Sequence, residues 1–427
     1  MHLRSLRLVD YRSWPSLDLR FGPGTTVLVG RNGHGKTNVL EAITLLATGK
    51  SHRVSGDAPL VRSGREGAIV TALAHNSGRE LQVELAVNKG KANRARLNTS
   101  PVRSPRQLLG VVQSVIFAPE DLSLVRGDPS GRRAFLDDLA VQRRPRLAAL
   151  RAEYDKVVRQ RTALLKNANA AERRGRPGGG FDSALASIEV WDVRLAELGA
   201  QIIAARAGLV AELDPLVTEA YAGIAPESRA ARIAYEPRLR GAAPGLAELR
   251  DPEFMEAVLL AEIAGRREDE VARAQTLVGP HRDELALRLG DEPAKGFASH
   301  GETWSFALAL RIASLELLRA DDLEPILLLD DVFAELDTAR RAALAEIAAG
   351  VEQVFVTAAV PEDLPPALSG SLIHVEMAGE GDARASRIRE GDAAGVARDA
   401  GVNDAGNSAG ADPSAADAAD HAPKGDD

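Results

Sequence analysis

The chain has 427 residues, 45% hydrophobic and 27% charged, enough for two or three domains around a sizeable core. No apolar stretch reaches the about 18 residues that cross a bilayer, and Arg4 and Arg7 interrupt any leader; the absence of cysteine excludes disulfides and thiolate metal sites. A cytoplasmic protein with no membrane partner is expected. The net charge of −8 argues against a nucleic-acid partner only until it is placed: from Gly391 onward eight Asp face Arg398 and Lys424, a net of −6, leaving −2 for the rest.

In chain order, residues 3–9 and 17–21 alternate as strands and lead into the apolar run Thr26-Val27-Leu28-Val29. Next comes Gly30-Arg31-Asn32-Gly33-His34-Gly35-Lys36-Thr37, a full match to G-x-x-x-x-G-K-[ST], opening a helix at Asn38. In such a loop the glycines let backbone N–H groups turn onto phosphates and the helix start adds a favourable dipole. Lys36 would neutralise the β- and γ-phosphates of ATP, and Thr37 would offer its hydroxyl to Mg²⁺. Residues 68–74, 80–87 and 94–98 read as strands joined by turns at Asn76-Ser77-Gly78 and Asn88-Lys89-Gly90, and residues 109–117 as one more.

After Pro119 the texture becomes helical. Leu147, Leu150, Tyr154, Val157 and Leu164 recur at helical spacing, and residues 167–180 read as an Arg/Gly/Pro loop. Phe181, Ile188, Leu195, Ile202 and Leu209 then repeat every seven residues, with Ala184, Trp191, Leu198 and Ala205 offset by three. The two stretches predict an antiparallel helical hairpin with arms of roughly 45–50 Å. Strand texture returns over residues 275–289, followed by a helix at 302–319, a buried strand at 326–330, a helix at 338–349 and a strand at 353–357. The expected division is an ATPase lobe in two halves, 1–118 and 275–390, a helical insert at 119–274, and a disordered acidic tail at 391–427.

The run Ile326-Leu327-Leu328-Leu329 ends in Asp330 and Asp331. A carboxylate at that strand end, Asp330, can reach the Mg²⁺ shell, and Asp331 is placed to orient the attacking water. Ser299-His300-Gly301-Glu302 fits a capping box, and the same helix start can offer N–H groups to a phosphate; both readings hold. His300 has no metal-spaced histidine or cysteine beside it, so no zinc role is expected.

The phosphate loop with its helix, residues 117–137, Gly279-Pro280-His281-Arg282-Asp283 and Leu328-Leu329-Asp330-Asp331-Val332-Phe333-Ala334-Glu335-Leu336-Asp337 together resemble the RecF family of bacterial recombination mediators. The resemblance covers residues 1 to about 380. It implies an α/β fold, an ABC-type P-loop ATPase head (Rad50/SMC-like) with an inserted helical lobe. It further implies ATP-dependent homodimerisation, slow hydrolysis, binding to DNA that is double-stranded, gapped or at a single/double-strand junction, and recombinase loading with RecO and RecR. Ser299 and Gly301 fall on the signature motif that contacts the γ-phosphate held by the other subunit. Glu302 stands where Gln is usual, Asp331 where many ABC ATPases have Glu, and Thr357 where many relatives have a switch His. Arg12 resembles a nucleotide-phosphate contact, and Gln113 is a weaker candidate for a metal-sensing Gln than for a plain strand residue.

Arg132, Arg133, Arg143, Arg144 and Arg146, with Arg159, Arg161, Arg173, Arg174 and Arg176, are the expected DNA-phosphate contacts. No aromatic residues interleave with them, which favours duplex over single-strand binding. Arg4, Arg7 and Arg65 form the alternative surface. Two other classes compete: a transporter's nucleotide-binding subunit and a small-molecule P-loop kinase. The 263 residues between Lys36 and Ser299 are long for the first, and the second leaves the hairpin without a purpose.

Overall fold

In the computed structural model, which describes residues 1–76, 78–173, 180–241, 244–381 and 384–389, the chain opens with β1 (His2–Tyr11), β2 (Trp14–Arg20) and β3 (Gly24–Val29). The helix α1 (Lys36–Thr48) follows, then β4 (Gly67–Asn76), β5 (Arg79–Asn88), β6 (Arg94–Leu97), β7 (Ser100–Pro101) and β8 (Ser114–Phe117). Helices α2 (Leu122–Arg126), α3 (Pro129–Arg143), α4 (Leu147–Arg173) and α5 (Gly180–Ile224) come next. Beyond them lie β9 (Ala231–Glu236), α6 (Leu246–Leu249), α7 (Pro252–Gly265), α8 (Arg267–Arg273), β10 (Glu284–Leu289), β11 (Glu292–Pro293) and α9 (Ala294–Phe297). The chain closes with α10 (His300–Ala320), β12 (Ile326–Asp330), α11 (Thr338–Ala349), β13 (Gln353–Ala358), β14 (Ser371–Ala378) and β15 (Ala385–Ile388).

Two six-stranded sheets enclose α1. One runs β2-β1-β4-β5-β6-β7 and is antiparallel throughout. Its strands alternate, burying Ala68, Val70, Ala72 and Ala74 of β4 and Val83, Leu85 and Val87 of β5, as a one-faced sheet requires. The other runs β15-β14-β3-β13-β12-β8, with β14 through β8 parallel. Its β12 and β13 are buried along their whole length, the mark of a sheet covered on both faces. This second sheet joins distant parts of the chain: β13 lies between β3, which leads into the glycine-rich loop, and β12, which ends at Asp330.

Several elements differ from the sequence expectations. Residues 109–113 are not strand: Gly110 adopts φ +87° against Pro145, and the strand begins only at Ser114. Residues 275–283 form a loop ahead of β10, while β9, within the stretch read as helical, pairs antiparallel with β10. The hairpin β14–β15 was not expected, since only Ile373 and Val375 alternate as buried positions of β14.

The helix α4 continues through residues 167–173, where a loop was expected, because Ala-rich sequence favours helix and Asn169 donates to the carbonyls of Val271 and Ala272. Past Leu209, α5 continues to Ile224 through Pro215, carried by the buried Leu213, Val217 and Tyr221. The two arms are therefore about 40 and 67 Å long at 1.5 Å per residue, unequal rather than matched. Ile188, Leu195, Leu198, Ile202 and Leu209 are buried as the repeat predicts; Phe181, Ala184, Arg174, Arg176 and the acidic tail at 391–427 lie outside the residues whose side chains are described.

Buried charge ties the helical elements together. Arg161, fully buried, donates to Asp192 at 2.7 Å and to Glu270 at 2.5 Å. Arg206 clamps both oxygens of Asp137 and donates to the Pro280 carbonyl at 2.7 Å, while Arg132 clamps Glu284. Beside them Tyr154 and His281 share a hydrogen bond of 2.7 Å, and Tyr235 donates to Asp283. The segments 117–137 and 279–283 are thus partners in one buried network.

Two buried histidines, His281 of this network and His52 outside it, carry a pH dependence. Burial, followed by the cations Arg282, Arg133 and Arg161, holds His281 down at about 4; burial, with Arg53 and Arg311, does the same to His52. Between pH 6.5 and about 4 the unfolded chain binds protons at these sites that the folded chain refuses. Stability should therefore fall as pH falls through that window, by up to about 1.4 kcal/mol per pH unit for each histidine. Melting temperatures at pH 7 and pH 5 check this. His281→Gln should narrow the difference; an unchanged difference would remove His281 from the account.

Candidate nucleotide site

The loop from Gly30 to Thr37 is shaped by what surrounds it. A Cβ on Gly30 would sit 2.3 Å from the Val375 carbonyl oxygen. Gly35 takes φ +100° at the start of α1, where a side chain would strike Ser386 and Ser13. The late hairpin β14–β15 staples the loop from behind: His34 Nδ1 lies 3.0 Å from the Val375 carbonyl, and Ser386 donates to the His34 carbonyl at 2.6 Å. Arg31, Asn32 and Gly33 are exposed at the rim. Lys36, 3% exposed, donates to the Gly30 carbonyl at 2.7 Å across the cradle that phosphates would enter.

Thr37 Oγ1 donates to Asp330 Oδ1 at 2.9 Å. Thr357, opposite Asp330 in the parallel register of β12 and β13, has its hydroxyl 2.8 Å from Asp330 Oδ1 and 3.3 Å from Asp331 Oδ1. The Thr357 hydroxyl oxygen also accepts the Asp331 N–H at 2.8 Å. Asp331 itself turns through φ +49°, a left-handed conformation that Asp tolerates, and lies 3.9 Å from Lys36 Nζ. A cleft of about 260 Å³ opens beside Asn32, Asp331 and Thr357, bounded by Phe333, Glu335 and Asp363.

Burial pushes the Asp330 carboxyl up to about 6 against the hydrogen bonds from Thr357 and Thr37, and the charges of Asp331 and Glu120 add to the rise. A bound dication would reverse that balance. The donor set suits Mg²⁺: a hydroxyl and one buried carboxylate, with nucleotide phosphates and water left to complete six oxygen ligands. Among the described residues no cluster of three or more His, Cys, Asp or Glu could hold a metal alone.

Lys36, Thr37, Asp330, Asp331 and Thr357 therefore meet in one chain; Ser299 and Gly301 do not join them. Ser299 caps α10, accepting the Glu302 N–H at 3.2 Å while Glu302 Oε2 accepts the Ser299 N–H at 2.8 Å. The Ser299 N–H bond, with those of Ser228 and Arg229, holds the Glu302 carboxyl below the usual carboxylate range. Ser299 and His300 face solvent, and among the described residues no hydrogen bond or ion pair links residues 299–301 to the phosphate loop. Thr357 was underrated by the sequence, which showed only that a switch His was missing.

Arg12 is half-buried, and its Nε and Nη2 donate to Glu41 at 2.8 and 2.5 Å, which holds the guanidinium beside α1. Burial alone would raise Glu41, but the bonds from Arg12 and Ser51 and the charges of Arg12 and Arg53 hold it below its usual range. Gln113 is buried ahead of β8 and donates to the Gln142 carbonyl, away from the loop.

The expected DNA surface also changes. Arg132 and Arg161 are buried ion-pair partners, not phosphate contacts, because each is 5% exposed or less. Arg133 donates to the Asp283 carbonyl, and Arg143 bridges Glu212 and Asp321 at 2.7 and 2.6 Å. Arg144, Arg146, Arg159 and Arg173 are exposed with no carboxylate partner among the described residues. On the other lobe Arg4 pairs with Glu80 and Arg65 with Asp10, whereas Arg7 is exposed. A further basic run was missed: residues 89–107 contain Lys89, Lys91, Arg94, Arg96, Arg103 and Arg106 with no acidic residue. All but Lys89 are exposed along the β6–β7 edge and the turns on either side of it, with Arg96 4.0 Å from Glu84. A plain window of charge would have found it.

Comparison with known proteins agrees with this geometry. Residues 2–380 match the family profile described as the RecF/RecN/SMC N terminal domain. The chain is 55% identical to the DNA replication and repair protein RecF of Rhodococcus erythropolis over 395 residues, 91% of this chain and 97% of that protein. Among solved structures it is similar to the recombination mediator protein RecF-ATPrS in the RecFOR pathway, with a TM-score of 0.77 and 25% identity over 90% of this chain and 98% of that one. A second, RecF-ATP in the same pathway, gives a TM-score of 0.77 and 26% identity over 87% and 95%. The fold is the ABC-type ATPase head shared by RecF and SMC proteins. Among the described residues no helix is long and apolar enough to cross a membrane.

Proposed function

Because the chain belongs to the RecF family, matched in profile and in sequence over most of its length, we propose that it is an ATP-dependent DNA-binding protein of replication and recombinational repair. The observation that carries the reading is a half-site: Thr37, Asp330 and Asp331 gathered around the phosphate loop, with the Ser299 helix start exposed elsewhere on the same chain. Each nucleotide would be completed by a second copy, so ATP would drive a homodimer that closes on duplex DNA at gaps or junctions. Lys36 and the loop N–H groups bind the phosphates, Thr37 and Asp330 hold Mg²⁺, and Asp331 orients water for a slow hydrolysis that releases the clamp. Mg²⁺ supplies neutralisation of phosphate charge when bound. RecO and RecR are the proposed partners in recombinase loading. The proposed division is an ATPase lobe in two halves with a helical insert, its bounds near residues 118 and 275. Sizing the protein with and without Mg·ATP tests this reading, and a monomer in both states would defeat it.

For DNA we propose the unpaired cations, Arg144, Arg146 and Arg159, together with the basic β6–β7 edge. Replacing Arg144, Arg146 and Arg159 with Ala should weaken binding alike on all sequences and flatten the log–log salt slope by up to about 0.9 for each DNA phosphate no longer neutralised. Arg132→Ala should instead lower thermal stability, since it strands Glu284. Unchanged affinity in the triple variant would shift the surface wholly to the β6–β7 edge.

A further inference from the structure

Three arginines, from α2, the loop ahead of β9 and α11, converge on the exposed start of α10. Arg126, at the end of α2, has Nε 3.3 Å from Thr303 Oγ1 and Nη2 3.3 Å from His300 Nδ1. Arg229 reaches Glu302 Oε1 at 3.3 Å. Arg340, in the first turn of α11, donates from Nε to Ser305 Oγ at 2.9 Å and from Nη1 to Asp337. Its Nη2 makes no hydrogen bond among the described residues, and a Cβ on Gly301 would lie 3.3 Å from it. Of the nearby carboxylates, Glu302 is held by the Ser299 N–H, and Asp337 by the Arg340 N–H and Nη1.

We propose that Arg340 is a further ligand of the nucleotide site, acting across the dimer: its free Nη2 contacts the γ-phosphate held by the phosphate loop of a second copy. The inference rests on the composite dimer proposed above. A phosphate arriving at the Ser299–Gly301 turn would meet backbone N–H groups, the Ser299 hydroxyl and this guanidinium. Arg340 suits the role better than its neighbours. All three are engaged by neighbours, Arg229 with Glu302, Arg126 with His300 and Thr303, and Arg340 with Asp337 and Ser305, but it is Arg340 Nη2 that lies beside Gly301. Arg340 is fixed at two points and its side chain remains 21% exposed, so it loses little freedom on making a charge-assisted bond. Its position also matters: α11 follows the turn that leaves Asp331, nine residues earlier in the chain. One subunit's water-orienting segment is thereby linked to the phosphate of the other.

The test uses the full chain with a non-hydrolysable ATP analogue, measuring nucleotide affinity at dilute, monomeric protein and dimerisation by sedimentation. Arg340→Ala should leave monomer affinity within about twofold while weakening the dimer about tenfold or more. Arg340→Gln, which can keep a bond to Ser305 without the charge, should behave like Ala, and Arg340→Lys should fall between. The proposal is overturned if Arg340→Ala dimerises like wild type. It is equally overturned if Gln restores dimerisation, or if monomer affinity falls in step with the dimer, since either marks a role within one chain. Ser299→Arg run in parallel separates the two ideas: normal dimerisation by that variant would defeat the composite site itself.

Discussion

Asp331→Asn is expected to bind Mg·ATP and dimerise while losing turnover by about 10²–10⁴-fold, the usual contribution of a positioned base. The substitution keeps the shape of the side chain and the backbone bond from the Asp331 N–H to Thr357, so the left-handed turn should survive. It removes the carboxylate that faces the cleft beside Asn32. Asp330→Asn should fail differently. Its oxygen is met by both Thr37 and Thr357, so losing its charge should raise the Mg²⁺ concentration required for nucleotide binding. Turnover, sedimentation and Mg²⁺ titration on the two variants separate these roles. Equal loss of dimer in both, or wild-type turnover in Asp331→Asn, would overturn the division between them.

What the sequence disclosed, and what it hid, follows from how local each piece of chemistry is. The phosphate loop and the Asp330-Asp331 pair were legible because each needs contiguous residues at one strand end. Thr357 was not, since its role comes from register: it faces Asp330 only because β13 lies parallel beside β12. The hairpin β14–β15 was hidden for a similar reason, and it supplies Val375 and Ser386 to the back of the loop. The arginines show the opposite failure. Arg132 and Arg161 looked like surface charge, but their carboxylates stand far along the chain, Glu284 at 152 residues from Arg132, and Asp192 and Glu270 at 31 and 109 from Arg161. Charge counted along a chain cannot tell a solvated guanidinium from one sealed in a buried pair.

Ser299→Arg should abolish ATP-driven dimerisation while leaving ATP binding by the monomer within about twofold of wild type, because the variant position shares no contact with its own phosphate loop. ATP can favour the dimer only through interactions that the monomer lacks, and the stabilisation equals its differential affinity for the two states. Those extra interactions would come from the exposed start of α10, where Ser299 has one hydroxyl lone pair in the capping bond to Glu302 and can still donate its proton to a phosphate. An arginine there replaces a short hydroxyl with a long cation and removes the cap, worth about 0.5–2 kcal/mol. Bulk at the point of closest approach should outweigh any charge attraction, since phosphate and helix start must come within hydrogen-bond distance. Ser299→Ala provides the graded control: it loses the hydroxyl and the cap but adds no bulk, so it should weaken the dimer without abolishing it. Sedimentation with and without Mg·ATP reads both variants. If Ser299→Arg dimerises like wild type, the second half of the site must be built from another surface.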